Sequence, residues 1–391
     1  MSVVSHGPIP ARILIIGEFP TDEDREANRP FASKGGAFLR KQLEQAGISL
    51  SECHLTNVFS TTPMQHLIEN FCQSKTNVQL DWEEMHHWTS EMRLAQREIK
   101  KRQKAGMPIP PQRHRPLYPW APFKKPSLYF RPRLVDKELK RLEDLILNVD
   151  PNLILCLGPA ATWAVLGENC HEAFRGTICE SSLVPGKKVL PIPHPISVLR
   201  EWKNLPILMV DLQKAYRESL FPEIRAPSRE IWINPTLEEC WEFYNRFLAV
   251  GDGLLSIDIE CTPSQVTCIG FAAGRRALVV PFFAESAENH CYWETLLDEQ
   301  KAWAFVRAVL ACPRPKLLHN GCFDGTFLAR KHSLFIRNMA EDTMLLHHAL
   351  QPEMKKSLGF LCSLYLNTSA WKGMRTGVKA KDASLKSDDE G

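Results

Sequence analysis

Apolar residues run without a break through Ile13-Leu14-Ile15-Ile16 and stop at Gly17-Glu18, the pattern of a strand buried on both faces that ends in a loop. The same pattern recurs at Cys53–Val58, Asn152–Gly158 and Lys188–Ile192. Phe38, Leu39, Leu43 and Ala46 fall on one side of a helix expected over Ala37–Gly47, with Gly47 as its stop, and Pro159–Leu166 reads as a helix after the third strand. The loop after the first strand holds Phe19, Pro20, a run of acids, Arg29-Pro30-Phe31 and Ser33-Lys34-Gly35-Gly36, and the fourth strand runs into Pro193-His194-Pro195-Ile196-Ser197. Alternating strands and helices predict an α/β layered domain, and ligands of such sheets sit in the loops at the carboxyl ends of the strands.

Beyond residue 230 the pattern changes. Trp232–Asn234 opens a second domain, and Thr236 is the expected N-cap of a helix reaching Leu248. Ser256-Ile257-Asp258-Ile259-Glu260 alternates, so the isoleucines face a core while Asp258 and Glu260 share the opposite face. Two like charges so placed repel, and the usual compensation is a bound divalent cation; a solvated strand end is the plainer explanation of the pair alone. After a short strand at Lys316–His319, the run Asn320-Gly321-Cys322-Phe323-Asp324 leads into Phe327, Leu328 and Arg330 at helical spacing, which puts Asp324 in the first turn of a helix. The Pro-, Arg- and Glu-bearing segment Pro222–Glu230 is the expected boundary, giving domains over 1–222 and 231–372, a linker over 223–230, and a polar tail over 373–391 whose composition predicts disorder.

A chain of 391 residues is long enough for two cores, and its net charge of only +3 leaves attraction to nucleic acid to local patches. One such patch lies in an insertion over about residues 60–135. Between Arg93 and Arg133 there are twelve Lys and Arg against one acid, Glu98, with Tyr118, Trp120, Tyr129 and Phe130 interleaved. Lys100, Lys101, Arg102, Arg113, Arg115, Lys124 and Lys125 would neutralise phosphates while the rings stack on bases; a solvated charged excursion is the alternative. The twelve cysteines include no Cys-x-x-Cys, which argues against an iron–sulfur cluster, zinc and a disulfide framework and for buried thiols. No apolar run approaches transmembrane length and no signal-peptide core opens the chain, so a cytoplasmic protein with no membrane partner is expected.

Gly17-Glu18-x-Pro20, Pro30-Phe31, Thr56-Asn57-Val58 and His194-Pro195 occur in order on those elements. Together they resemble the uracil-DNA glycosylase superfamily over about residues 11–220, in particular the branch whose first motif reads Gly-Glu-x-Pro-Gly. The resemblance implies an αβα sandwich around a parallel sheet. It also implies that Phe31 stacks on a flipped base beside Gly17, that Asn57 reads its edge, and that Glu18 positions water or stabilises the cationic sugar. His194 would donate to uracil O2 as charge develops there. Taken singly, Phe31 is also a core ring, Asn57 a turn former, Glu18 a helix-start acid and His194 a loop histidine. The chain departs from the branch at Thr21, where glycine is usual, and it lacks the N-terminal Cys-x-x-Cys of cluster-bearing relatives.

From about residue 228 the chain resembles the DEDD-type 3′-5′ exonuclease domain of family A DNA polymerases, which has an RNase H-like (DnaQ-type) fold. Asp258 and Glu260 match the first motif and Asn320 with Asp324 the second; Glu341-Asp342-Thr343-Met344-Leu345, Lys356–Leu361 and Trp371-Lys372 resemble the segments that follow. The resemblance implies Mg2+ or Mn2+ held by Asp258, Glu260 and Asp324, with Asn320 toward the DNA. The family's fourth carboxylate follows a Tyr or His; here Val378 stands at that spacing before Asp382, so weak trimming is expected. The whole reads as a DNA-processing enzyme of a bacterium or phage-infected host, acting on uracil-containing DNA or single-stranded 3′ ends, with replication or repair proteins as partners. The alternative is a catalytically weak nucleic-acid clamp, or the N-terminal fragment of a phage-type polymerase.

Overall fold

The computed structural model describes residues 2–74, 76–77, 128–167, 174–225, 227–287 and 290–366. Lys100, Lys101, Arg102, Arg113, Arg115, Lys124 and Lys125 lie outside them, as do Trp371, Val378 and Asp382. The fold is α/β in two units, one comprising the chain up to Ala226 with the described residues from Cys362, the other Pro227–Leu361.

In the first unit, β1 (Ile13–Gly17), β2 (Cys53–Asn57), β5 (Leu153–Leu157), β6 (Cys179–Glu180) and β7 (Lys188–Ile192) form a sheet in the order β2-β1-β5-β7-β6. All its pairings are parallel except β6 with β7. The unbroken apolar runs are explained by two cores, one on each face. Leu14, Ile16, Ile154 and Cys156 point into one, against the helix α3 (Pro132–Val149) and the helix α4 (Gly158–Leu166); Ile13, Ile15, Leu153 and Leu155 point into the other, against α2 (Lys34–Gln45) and α6 (Leu205–Glu218). The chain leaves β1 for β2 on one side and returns to β5 on the other, so the carboxyl end of β1 is a topological switch point, where open α/β sheets hold their ligands.

α3 has no counterpart among the elements expected from the sequence. It follows a two-stranded ladder of β3 (Cys72–Ser74) and β4 (Leu128–Phe130), and buries Val135, Leu139, Leu142, Ile146 and Val149 along one stripe. A buried charge cluster also lies within this unit: Arg175 Nη1 bonds both Asp211 oxygens at 2.9 and 3.0 Å, and Lys214 Nζ donates to the carbonyls of Gly176, Ser363 and Leu366.

The second unit is a mixed sheet in the order β13-β12-β9-β10-β11-β8, with β8 at Glu230–Ile233, β9 at Leu255–Cys261, β10 at Val266–Ala273, β11 at Arg276–Pro281, β12 at Lys316–Leu318 and β13 at Met339–Asp342. Thr236 caps α7 (Leu237–Phe243) in a reciprocal box with Glu239, and a π-helical turn carries the helix on to Leu248. α8 (Leu296–Ala311) lays Ala302, Phe305, Val306 and Val309 on the sheet, where Leu255, Ile257 and Ile259 meet it. No helix among the described residues is long and apolar enough to cross a membrane.

Candidate functional site

Three of the residues singled out in the first unit stand at the carboxyl edge of its sheet. Gly17 ends β1 and is paired in register with Asn57, which ends β2. His194 follows β7 by two residues and caps α5 (Pro195–Arg200). Asn57 and His194, with Glu18, Phe19, Thr21, Asp24, Phe31 and Ile196, line one pocket, and Gly17 packs against Asn57 and Phe31.

Gly17 is glycine for want of room. A Cβ there would lie 2.4 Å from Asn57 Oδ1 and 2.7 Å from Phe31 Cζ, so the bare backbone is what allows the amide and the ring to meet over the strand end. Phe31 adopts φ 58°, a left-handed conformation that costs a non-glycine residue about 1–2 kcal/mol. The surroundings hold it there. Arg40 Nη1 donates to Phe31 O at 2.6 Å, the next amide, Ala32 N, donates to Asp24 Oδ1 at 2.5 Å, and Gly36 admits the Phe31 carbonyl where a Cβ would stand 1.8 Å from it. Thr21, the departure from the usual glycine, caps the short helix α1 (Asp22–Glu26) in a box with Asp24, so the same buried acid shapes both the loop start and the Phe31 turn.

The electrostatics divide the pocket. Burial, with a smaller contribution from Glu69, pushes the Glu18 carboxyl up to about 7. Burial, with Arg200 beside it, pulls His194 down to about 4, so its ring is neutral at physiological pH. His194 Nδ1 accepts from Ile196 N at 3.3 Å, which leaves the ring proton on Nε2. The pocket therefore offers a neutral N–H donor, an acid that ionises near neutrality, an amide and an aromatic face.

In the second unit Asp258 and Glu260 are exposed on one face of β9 while Ile257 and Ile259 are buried on the other. Asp324, in the first turn of α9 (Gly321–His332), is brought to them: its Oδ1 accepts from Ile259 N at 3.1 Å. Its carboxyl is pushed up to about 6 by burial, with the Asp258 charge adding to the rise and the Ile259 bond opposing it. Asn320 caps α9 at φ 59°, and its amide and that of Gly321 donate to Asp342, at 3.2 and 2.8 Å. Asp342 also accepts from Met344 and Leu345 at the start of α10 (Thr343–Leu350), so one carboxylate ties two helix starts together. The donors are carboxylate oxygens, which suit a hard divalent cation, yet among the described residues no three His, Cys, Asp or Glu converge as a metal-holding group.

The first unit thus carries a pocket at the switch point of a parallel sheet, and the second an acid-bearing strand in a mixed sheet. Residues 4–222 match the family model of the Uracil DNA glycosylase superfamily, more than half of the 391 residues, and the chain belongs to that superfamily. Residues 236–387 match the model of a 3′-5′ exonuclease domain. A type-4 uracil-DNA glycosylase of Thermotoga maritima is 33% identical over 61 residues, 16% of this chain and 32% of the relative, so the chain spans about a third of that relative's length. Similar solved structures include the EXD2 exonuclease domain soaked in Mn and GMP, at 12% identity, 32% of this chain, 62% of that one and a TM-score of 0.22. The Aedes aegypti Nibbler EXO domain stands at 15% identity, 37% of this chain, 72% of that one and a TM-score of 0.27.

Sequence reasoning missed Asp24 and Gly36, which line the pocket and hold the Phe31 turn beside it.

Proposed function

We propose that the first unit excises uracil from DNA by hydrolysing the N-glycosidic bond, and that the second carries a divalent-metal-dependent 3′-5′ exonuclease site of reduced activity. The observation that carries the first part is the pairing, in one pocket, of a neutral His194 with a Glu18 that ionises near neutrality.

In this reading a flipped base enters between Phe31 and Asn57, stacks on the ring and is read by the amide, whose oxygen already lies over Gly17. As the glycosidic bond lengthens, negative charge moves onto the base. His194 Nε2–H donates to the base oxygen that gains it, and the neutral ring has given up no proton and needs no reorganisation. Glu18, once ionised, faces the sugar, where a carboxylate stabilises the developing cation or orients the attacking water.

At the second site Asp258, Glu260 and Asp324 would hold Mg2+ or Mn2+, and such a cation would supply a water of lowered pKa for attack on a 3′-terminal phosphodiester. The protein's own contribution is to present two acids from one strand face and a third fastened to that strand's backbone.

The test is a uracil-containing oligonucleotide incubated with the full chain in EDTA and then treated with alkali. Cleavage at the uracil supports excision, which needs no metal; an intact strand overturns it and favours the nucleic-acid clamp.

A further inference from the structure

The peptide groups that join the two halves of the pocket are gripped from both sides. Past the ends of their strands, Val58 N donates to Gly17 O and Phe59 N donates to Glu18 O, each at 3.0 Å, which fixes the path of the Gly17-Glu18 backbone against β2. The carbonyls of those same two peptide groups, Asn57 O and Val58 O, accept from Arg141 Nη2 at 2.6 and 2.9 Å. A trans peptide points its C=O and N–H in opposite directions, so a donor on one side and acceptors on the other hold the plane against rotation.

The guanidinium is itself held. Arg141 Nε donates to Glu138 Oε2 at 2.7 Å, and Nη1 lies 3.4 Å from Thr56 Oγ1. Glu138 is 2% exposed and accepts from Ser60 Oγ at 2.6 Å through its other oxygen. Both charged residues stand on α3, the helix whose apolar stripe locks it to the sheet. A planar fork with fixed donors suits this task; a lysine ammonium offers one point charge for the same carbonyls.

We propose that Arg141 is a positioning residue for base excision: by holding the Asn57 and Val58 carbonyls it keeps the Asn57 amide and the Glu18 carboxylate in mutual register across the pocket. The inference rests on the glycosylase reading for its consequence and on the hydrogen bonds alone for its geometry.

The two are tested separately with the full chain. Arg141→Met should lower kcat for uracil excision by about 10–100-fold, the cost of a small misplacement, with KM within about twofold of wild type and cooperative thermal melting retained. Arg141→Lys should recover part of the loss. Guanidinium at low, non-denaturing concentration should partly restore Arg141→Ala, because the side chain is 32% exposed and its site can be reached from solvent. Amide hydrogen exchange needs no activity: Val58 and Phe59 should exchange at least about tenfold faster in Arg141→Met, while Ile13–Ile16 stay protected. Unchanged kcat in an active protein overturns the proposal, as does a loss that tracks unfolding and resists guanidinium. If the wild type excises nothing, the glycosylase reading fails by itself; unchanged Val58 and Phe59 exchange would then also sink the clamp, and faster exchange would uphold its geometry.

Discussion

The two candidate sites place acids at strand ends by opposite means. In the first unit, residues from three strand ends converge on a pocket, and the acid there, Glu18, is carried by a backbone bonded to the Asn57–Phe59 peptide groups, which Arg141 holds from their other side. In the second, two acids stand exposed on β9 and the third, Asp324, spends an oxygen on the strand's own backbone. On the function proposed above, the first site is complete in what it offers a neutral base; among the described residues, the second has its acids adjacent but not gathered around a common centre. A site that handles a neutral ligand can be finished by protein groups alone, whereas like charges draw together only around a cation.

The largest effect that would test this contrast is on excision. His194→Ala and Asn57→Ala should each lower the single-turnover excision rate by on the order of 10²–10³-fold, the usual cost of losing one preorganised donor, measured with alkali-cleaved uracil oligonucleotides. Gly17→Ala should be comparable, because its Cβ would meet both Asn57 and Phe31. Activity close to wild type in Gly17→Ala would mean that the base binds elsewhere.

Next is the second site. Magnesium-dependent trimming of a labelled single-stranded 3′ end should be weak or absent, and Asp258→Ala should remove whatever is present while leaving excision unchanged. Brisk trimming abolished by Asp258→Ala would show that the acids do gather when metal is added, and would erase the contrast between the units.

Much of this was legible in the sequence for physical reasons. Strands buried on both faces must be apolar throughout, so β1, β2, β5 and β7 announced themselves, and the candidate residues Gly17, Asn57 and His194 fall at or just past their carboxyl ends. Period-2 alternation likewise separated Ile257 and Ile259 from Asp258 and Glu260. What supports these residues was not legible. Glu138 and Arg141 are three apart on an amphipathic helix and look like a solvated pair, while Arg141 reaches a carbonyl 84 residues away. The turn at Phe31 depends on an acid seven positions before it and on an arginine nine positions after it, and no local rule predicts a left-handed phenylalanine.

A smaller effect concerns pH. Because the Glu18 carboxyl titrates near 7 in the fold against 4.5 ordinarily, the native state binds a proton between those values that the unfolded chain has lost. Stability should therefore fall as pH rises from about 4.5 to 7 and stay lower above it. Since the pocket is open to solvent, the effect should be modest. Glu18→Gln should raise stability by about 1–2 kcal/mol at pH 8 and hardly at all at pH 4.5, as read by denaturant midpoints. The same titration should make wild-type excision climb as pH passes through about 7, and Glu18→Gln should lose that rise along with most of the rate. A flat pH profile in the wild type would detach Glu18 from the chemistry and leave the pocket with His194 alone.

The smallest effect belongs to neither site. Lys100, Lys101 and Arg102 lie outside the described residues, so their role rests on the charge pattern, twelve basic residues against one acid between Arg93 and Arg133. If they touch phosphates, replacing all three by glutamate should weaken binding to single-stranded DNA about uniformly across sequences and reduce the slope of log affinity against log salt by about 0.7 for each phosphate no longer neutralised. Excision from saturating substrate should be unchanged, because the pocket residues are untouched; only the apparent KM should rise, and more so at low salt. A fall in the saturated rate would instead place this segment at the pocket. An unchanged salt slope would leave it a solvated excursion and confine DNA contact to the rest of the chain.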